Sequence, residues 1–390
     1  MNASPESKPF SRTLGRSLYF LAACLILLLL LPVLFWQKTR AYLQAAAILD
    51  QLNGKPIPRL LRPIAAMPLT TKPLTIPSSA GLVEARLYTP IPSPNAPGLV
   101  LVPGIHYLGM DEPRLVAFAR SMAACGLQVL TPELPDSRDY RIQPSDVQSI
   151  GDSVQWLQNT TGRPVGLMGL SFSGGLALMA AATPPFSNRI SFVFSVGAHD
   201  DLYRVATFYV TNADPLPDGD VERAKPNDYG PWIVEYEHLE DFVPAADVTE
   251  IRPVLRARLY ENSALEKELL AHLTNAQKAE YAQIIDAPHQ DVALFTSNKK
   301  HAAEMAAVSP HGNLAGLHVP VYLLHGRGDT LIPFAEAEWL AQELPRGTLK
   351  RMLISPLIAH VNTNHSKPNI WDEWQLLHLL AQVMEHAEHP

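Results

Sequence analysis

Gly169-Leu170-Ser171-Phe172-Ser173-Gly174-Gly175 is the stretch whose reading decides the fold of this chain. The apolar run Val165 to Met168 leads into it, and the small and apolar run Gly174 to Ala182 leads out. That is the pattern of a strand turning sharply into a helix with a serine at the turn. Small residues two places before and two places after the serine are a steric need, because strand and helix nearly touch there. Gly169 and Ser173 meet it for Ser171. Ser171 and Gly175 would meet it for Ser173, which is therefore the rival nucleophile. A strand ending at Leu170 favours Ser171, since Ser173 would need a strand two residues longer.

Outward from this turn, strand-like and helix-like segments alternate. Leu74 to Ile76 and Leu82 to Tyr88 flank a Pro-Ser-Ser-Ala-Gly turn and read as a hairpin. Gly98 to Val102, Leu127 to Leu130, Val165 to Met168 and Ile190 to Val196 read as buried strands. Pro113 to Cys125 and Pro144 to Thr160 are helical in period. The alternation resumes with the strand Val319 to Leu324, the helix Phe334 to Leu344, the strand Leu349 to Ile354 and the helix Ile370 to Glu385. Such alternation implies a mostly parallel sheet with helices on both faces. Between Asp200 and Pro310 the sequence reads as a helical insertion without a clear strand. Its best helix is Ser263 to Ile285, with Leu265, Leu269, Leu270 and Leu273 on one face.

A serine at such a turn becomes a nucleophile only with a base, an acid that orients the base, and donors for an oxyanion. On a parallel sheet these groups belong just past the carboxyl ends of strands. Asp329 is the acid candidate, presented by the Gly-containing turn His325-Gly326-Arg327-Gly328-Asp329 after an apolar strand. His360 is the base candidate, again after a strand, with His365 as its rival. The chain order is then Ser, Asp, His. The backbone N–H of Phe172, next after the serine, is one oxyanion donor. The other is that of Ile105, in Pro103-Gly104-Ile105 after the Gly98 to Val102 strand. Asp200 and Asp201 offer an alternative acid position but read as turn or capping residues, and His325 and His106 read as structural.

From about Leu74 to the C-terminus, outside the insertion, the chain resembles the α/β-hydrolase superfamily of esterase- and lipase-like serine hydrolases. The resemblance rests on Pro103-Gly104-Ile105, the Gly169 to Gly175 turn and the His325 to Pro333 acid loop, in that order. It implies an α/β fold with an eight-stranded sheet whose first strands are antiparallel, and a cap inserted after the sixth strand. It implies hydrolysis of a small-molecule ester by Ser171, Asp329 and His360 without a cofactor. Two positions depart from the usual pattern: Ser173 stands for the last glycine of G-x-S-x-G, and Pro103 for a histidine. Acyl transfer by the same triad, or a non-catalytic binding module on the same fold, are the alternative functions.

The bulk numbers agree with a globular protein. Hydrophobic residues make up 47% and charged ones 18% of 390, too apolar a balance for a disordered chain. The net charge is −7 and no basic stripe is visible, which speaks against nucleic acid as a partner. The two cysteines, Cys24 and Cys125, lie in an apolar run and in a core helix, so no disulfide between them is expected. Glu235-Tyr236-Glu237-His238-Leu239-Glu240-Asp241 has no second histidine at ligand spacing, so it reads as solvated cap surface, with no metal.

Leu18 to Trp36 holds no charged residue. As a helix it is about 28 Å long, near the ~30 Å of a bilayer core. It reads as an uncleaved, single-pass signal anchor. Lys8, Arg12 and Arg16 before it outnumber Lys38 and Arg40 after it, which places the N-terminus in the cytoplasm and the catalytic domain outside. The expected plan is tail and anchor over 1–40, stalk over 41–72, hydrolase core over 73–199, helical cap over 200–310 and the rest of the core over 311–390. An anchored enzyme fits a lipid or lipophilic ester as substrate.

Overall fold

The computed structural model describes residues 34–79, 81–286, 291–358 and 369–388. The expected membrane segment therefore lies, but for Leu34 to Trp36, outside the described residues. Among the described residues no helix is long and apolar enough to cross a membrane.

Among the described residues ten strands run in chain order: β1 Leu69–Ser78, β2 Gly81–Pro90, β3 Gly98–Val102, β4 Gln128–Pro132, β5 Val165–Leu170, β6 Ile190–Val196, β7 Ala213–Pro215, β8 Val221–Arg223, β9 Val321–Gly326 and β10 Leu349–Ser355. Eight of them form one sheet in the order β1-β2-β4-β3-β5-β6-β9-β10. β1, β2 and β4 pair antiparallel, and every later neighbour is parallel. Every residue of β3 and β4 is buried, as a strand covered on both faces requires. β1 lies at the edge, which is why it tolerates Pro73 and Pro77 within its span.

Helices cover both faces. α1 Trp36–Leu52, α2 Pro113–Ala124, α3 Pro144–Thr161 and α4 Phe172–Ala182 precede the insertion. The insertion holds α5 Leu202–Thr211, α6 Tyr229–Glu237, α7 Val248–Leu259, α8 Ser263–His272, α9 Asn275–Ile285, α10 Asp291–Lys300 and α11 Ala302–Ala307. α12 Ala335–Glu343 and α13 Ile370–Glu388 follow it. One core cluster joins Val154, Leu157, Leu176 and Leu340 to β3, β5 and β9, and another joins Ile48, Met122, Leu379 and Val383 to the opposite face. α3 is bounded by local chemistry. Gln143 and Asp146 form a reciprocal capping box at its start, and Gly162 ends it at φ +71°.

Three expectations need correction. The segment after Trp36 is not a free stalk. Ala41, Gln44, Ala45, Ala47 and Ile48 of α1 are buried, and the Gln44 amide donates to the Cys125 carbonyl (2.5 Å) and the Glu388 carboxylate (2.9 Å). The cause is a stripe of small and apolar residues at helical spacing, which loses water contact only by packing on α2 and α13. The helix expected over Ser263 to Ile285 is two helices. Thr274 stops it by capping the Gln277 N–H, while the Gln277 side chain accepts from the Thr274 N–H. The strandless insertion contains one small hairpin, β7 with β8.

Ile48→Ala measures whether α1 belongs to the core. The side chain is 1% exposed, so truncation should cost about 2–5 kcal/mol in denaturant unfolding. An unchanged midpoint would return α1 to the role of a stalk.

Candidate active site

β5 carries the chain to the carboxyl edge of the sheet and α4 carries it away. Between them Ser171 takes φ +56° and ψ −138°, a region that costs a non-glycine residue roughly 1–3 kcal/mol. The turn holds because its ends are pinned. The Ser171 N–H donates to the Val196 carbonyl (2.7 Å), and the Ser171 carbonyl accepts from the Gly174 N–H (2.8 Å). A Cβ on Gly169 would stand 2.7 Å from Gly174 Cα, and one on Gly174 would stand 2.7 Å from Ser195 Oγ. Helix and strand can cross at this point only without side chains there. Ser171 is half-buried, whereas Ser173 lies inside α4 with no exposed surface. Geometry therefore separates the two serines, and the small residue at 173 is a packing element.

Three of the expected residues come together. Phe172 is the first residue of α4, where amide groups have no intrahelical acceptor. The Gly104-Ile105 loop, which follows β3, packs on the serine itself: a Cβ on Gly104 would stand 3.1 Å from Ser171 Cβ. The same loop is braced by the cap, through the ring series His106, Tyr107 and Tyr260 with centroids 4.6 and 5.3 Å apart.

Asp329 follows β9, separated from β5 by β6 alone. With strands spaced ~4.8 Å, the acid loop leaves the same edge about 10 Å from the elbow. Asp329 is buried, and its Oδ1 accepts the N–H groups of Leu331 (2.9 Å) and Ile332 (3.0 Å). His325 closes the loop through Nε2 to the Ile332 carbonyl (2.8 Å), with Asp329 Oδ2 3.7 Å away. The cap grips the loop too, by Tyr209 Oη to the Leu331 carbonyl (2.8 Å) and the Asn227 N–H to the Thr330 carbonyl (3.0 Å). Asp201 caps α5 and Asp200 pairs with Arg204. His360 and His365 lie outside the described residues.

A cavity of about 230 Å³ opens beside Phe172, under the cap. Ile142, Leu202, Ile233, Val234, Met305 and Val308 give it apolar walls. Gln143, Glu237, His238 and Glu304 line it as well. Burial pushes the Glu237 carboxyl up to about 7, although the Gln143 amide donates to it at 2.8 Å. The segment from Glu235 to Asp241 was expected to be solvated. Instead Glu235, Tyr236, His238 and Leu239 are buried, because α6 is packed on both of its sides inside the cap.

Sheet order, antiparallel first strands, a serine elbow after β5 and a helical insertion after β6 define an α/β-hydrolase fold. The chain is similar to 2,6-dihydroxy-pseudo-oxynicotine hydrolase (14% identity, TM-score 0.44, covering 85% of this chain and 71% of that one). It is similar to Est1E from Butyrivibrio proteoclasticus (11%, 0.44, 80% and 98%) and to brefeldin A esterase, a bacterial homologue of human hormone-sensitive lipase (17%, 0.44, 88% and 84%). No protein-family model matches the chain, and no curated protein matches it in sequence.

His199, which drew no attention in the sequence, lies under the elbow. Its ring is 5.6 Å from that of Phe172, and Gly175 leaves room for it: a Cβ there would stand 2.6 Å from Cε1. Nε2 donates to the Val308 carbonyl (2.9 Å), and full burial pushes its pKa down to about 4. Between pH 6.5 and 4 the unfolded chain takes up a proton here that the folded protein does not, so stability falls as pH falls through that window. The full contribution is roughly 3 kcal/mol. In urea melts from pH 7 to 4, His199→Gln should lose less stability than the parent by that order. Parallel curves would remove His199 from the account.

Proposed function

We propose that this chain is a serine hydrolase that cleaves a carboxylic ester through an acyl-enzyme. The observation that supports it most is the strained backbone of Ser171, held with the Gly104-Ile105 loop packed against its Cβ. Strain of this kind survives only where surrounding structure over-determines it, and here it lifts a hydroxyl off the end of a buried strand.

In this reading Ser171 Oγ attacks the ester carbonyl carbon. His360 takes the hydroxyl proton and gives it to the departing alcohol. Asp329 holds the imidazole in one tautomer through Oδ2, since Oδ1 is engaged by the amides of Leu331 and Ile332. The N–H groups of Phe172 and Ile105 take the negative charge of the tetrahedral oxygen, a contribution of ~3 kcal/mol per donor. Water, activated by the same histidine, then releases the acid. No cofactor takes part. The apolar walls beside Phe172 suit a lipophilic acyl or alcohol group.

The reading includes a membrane anchor at Leu18 to Trp36, with the hydrolase on the outer side. After alkaline carbonate washing the full chain should stay with the membrane fraction. Protease added to intact cells should remove the hydrolase. Release by carbonate would refute the anchor, and resistance to protease would refute the orientation.

A fluorophosphonate probe tests the chemistry. The protein should be labelled and should turn over a short-chain aryl ester, and Ser171→Ala should lose labelling and at least 10³-fold in kcat. Labelling that persists in Ser171→Ala but is lost in Ser173→Ala would move the nucleophile to a buried helix residue and overturn the assignment.

A further inference from the structure

The cap holds a cluster of chemistry-bearing side chains that hydrolysis does not use. His238 follows α6, while His301 and Glu304 lie three residues apart at the start of α11, on one helical face. One ligand atom from each lies within 4.8 Å of the other two. Both histidines are buried, and Glu304 is 69% exposed in its side chain. His238 and Glu304 also line the cavity beside Phe172. The sequence argued against a metal at His238 for want of a second histidine nearby, and the fold supplies one from a distant helix.

The hydrogen bonding of His301 carries the argument. Nε2 lies 2.9 Å from Asp241 Oδ2, and Nδ1 lies 3.1 Å from Glu304 Oε2. Asp241 is itself held by Ser297 Oγ (2.9 Å) and by Lys300. A neutral imidazole has one N–H, so it can satisfy one of two carboxylates. With that N–H on the well-held Asp241, the lone pair of Nδ1 faces an oxygen of Glu304 at 3.1 Å, and a metal ion between the two would be shared by both acceptors. The ring of His238 lies flat on that of His301, with centroids 3.6 Å apart and planes 10° apart. A histidine whose outer nitrogen is fixed by a carboxylate is also the usual arrangement behind a metal ligand.

We propose that His238, His301 and Glu304 bind a divalent transition-metal ion, with zinc the best match to two imidazoles and a carboxylate. Three protein ligands leave a fourth tetrahedral position, which opens on the cavity and takes water or an anionic oxygen of a ligand. Lone pairs lie in the ring planes, so coordination turns His238 out of its parallel stack on His301.

Zinc titration of the tag-free full chain by calorimetry at pH 7.5 tests this. One ion per chain should bind to the parent and equally to Ser171→Ala, which makes the outcome independent of the hydrolase reading. Glu304→Gln and His238→Gln should each weaken binding at least tenfold. Zinc should raise the melting temperature of the parent and not that of Glu304→Gln. Because Glu304 is exposed, that variant keeps its fold and decides the matter even if the histidine variant does not. Absence of zinc binding by the parent, or equal binding by Glu304→Gln, would overturn the proposal.

Discussion

The structure depends on one close approach, that of β5 and α4 at Gly169 and Gly174. Side chains at either position would collide with the crossing backbone or with Ser195 and Ala198. Without them the helix starts immediately after the strand, and the one residue between must take a conformation that strains it. The strain is local but its support is not. It comes from β6 through Val196, from the β3 loop through Gly104, and from the complete burial of α4 between sheet and flanking helices. A serine here is therefore positioned by the whole parallel half of the sheet.

A second constraint ties the cap to the acid loop. Glu336, in the first turn of α12, has no exposed surface. It accepts the N–H groups of Asp200 (2.7 Å) and Asp201 (2.9 Å) and the Arg204 guanidinium (2.6 Å). Asp200 and Asp201 follow β6, and α12 follows the Asp329 loop, so one buried carboxylate joins where the insertion begins to the loop that carries Asp329. Arg204 is shared with Asp200 at 2.8 Å, yet burial still pushes Asp200 up to about 6. Removing one partner of such a cluster leaves a buried charge uncompensated, which costs far more than the intact group contributes. The roof over the elbow is thereby held in register with the acid loop.

Much of this was legible in the residues. β3 and β6 occupy the spans read from the sequence, because buried parallel strands are short continuous apolar runs bounded by turns. The elbow was legible because sterics demand small residues at fixed offsets. Ala41 to Leu52 reads as helical and is so, but its docking on the core is not legible, because Ala41, Ala45 and Ile48 form a weak stripe of small residues and a flanking Pro-rich stretch resembles a linker. α8 and α9 were merged because Leu265 to Leu273 keeps helical period up to the break, and the capping box at Thr274 is a local hydrogen-bond effect that periodicity does not register.

What the sequence by itself determined is the class of fold and the identity of the turn, since both follow from period and from the volume of single residues. Which of two serines, separated by a single residue, stands at the turn was a tertiary decision. Ser171 and Ser173 satisfy the same spacing rule, and only the packing of α4 buries one and strains the other. The same holds for His199 beneath the elbow, Glu336 behind the acid loop, and the meeting of His238 with His301. Each is a contact between segments far apart in the chain, made by the way helices settle on the sheet and on each other, and no local pattern encodes it.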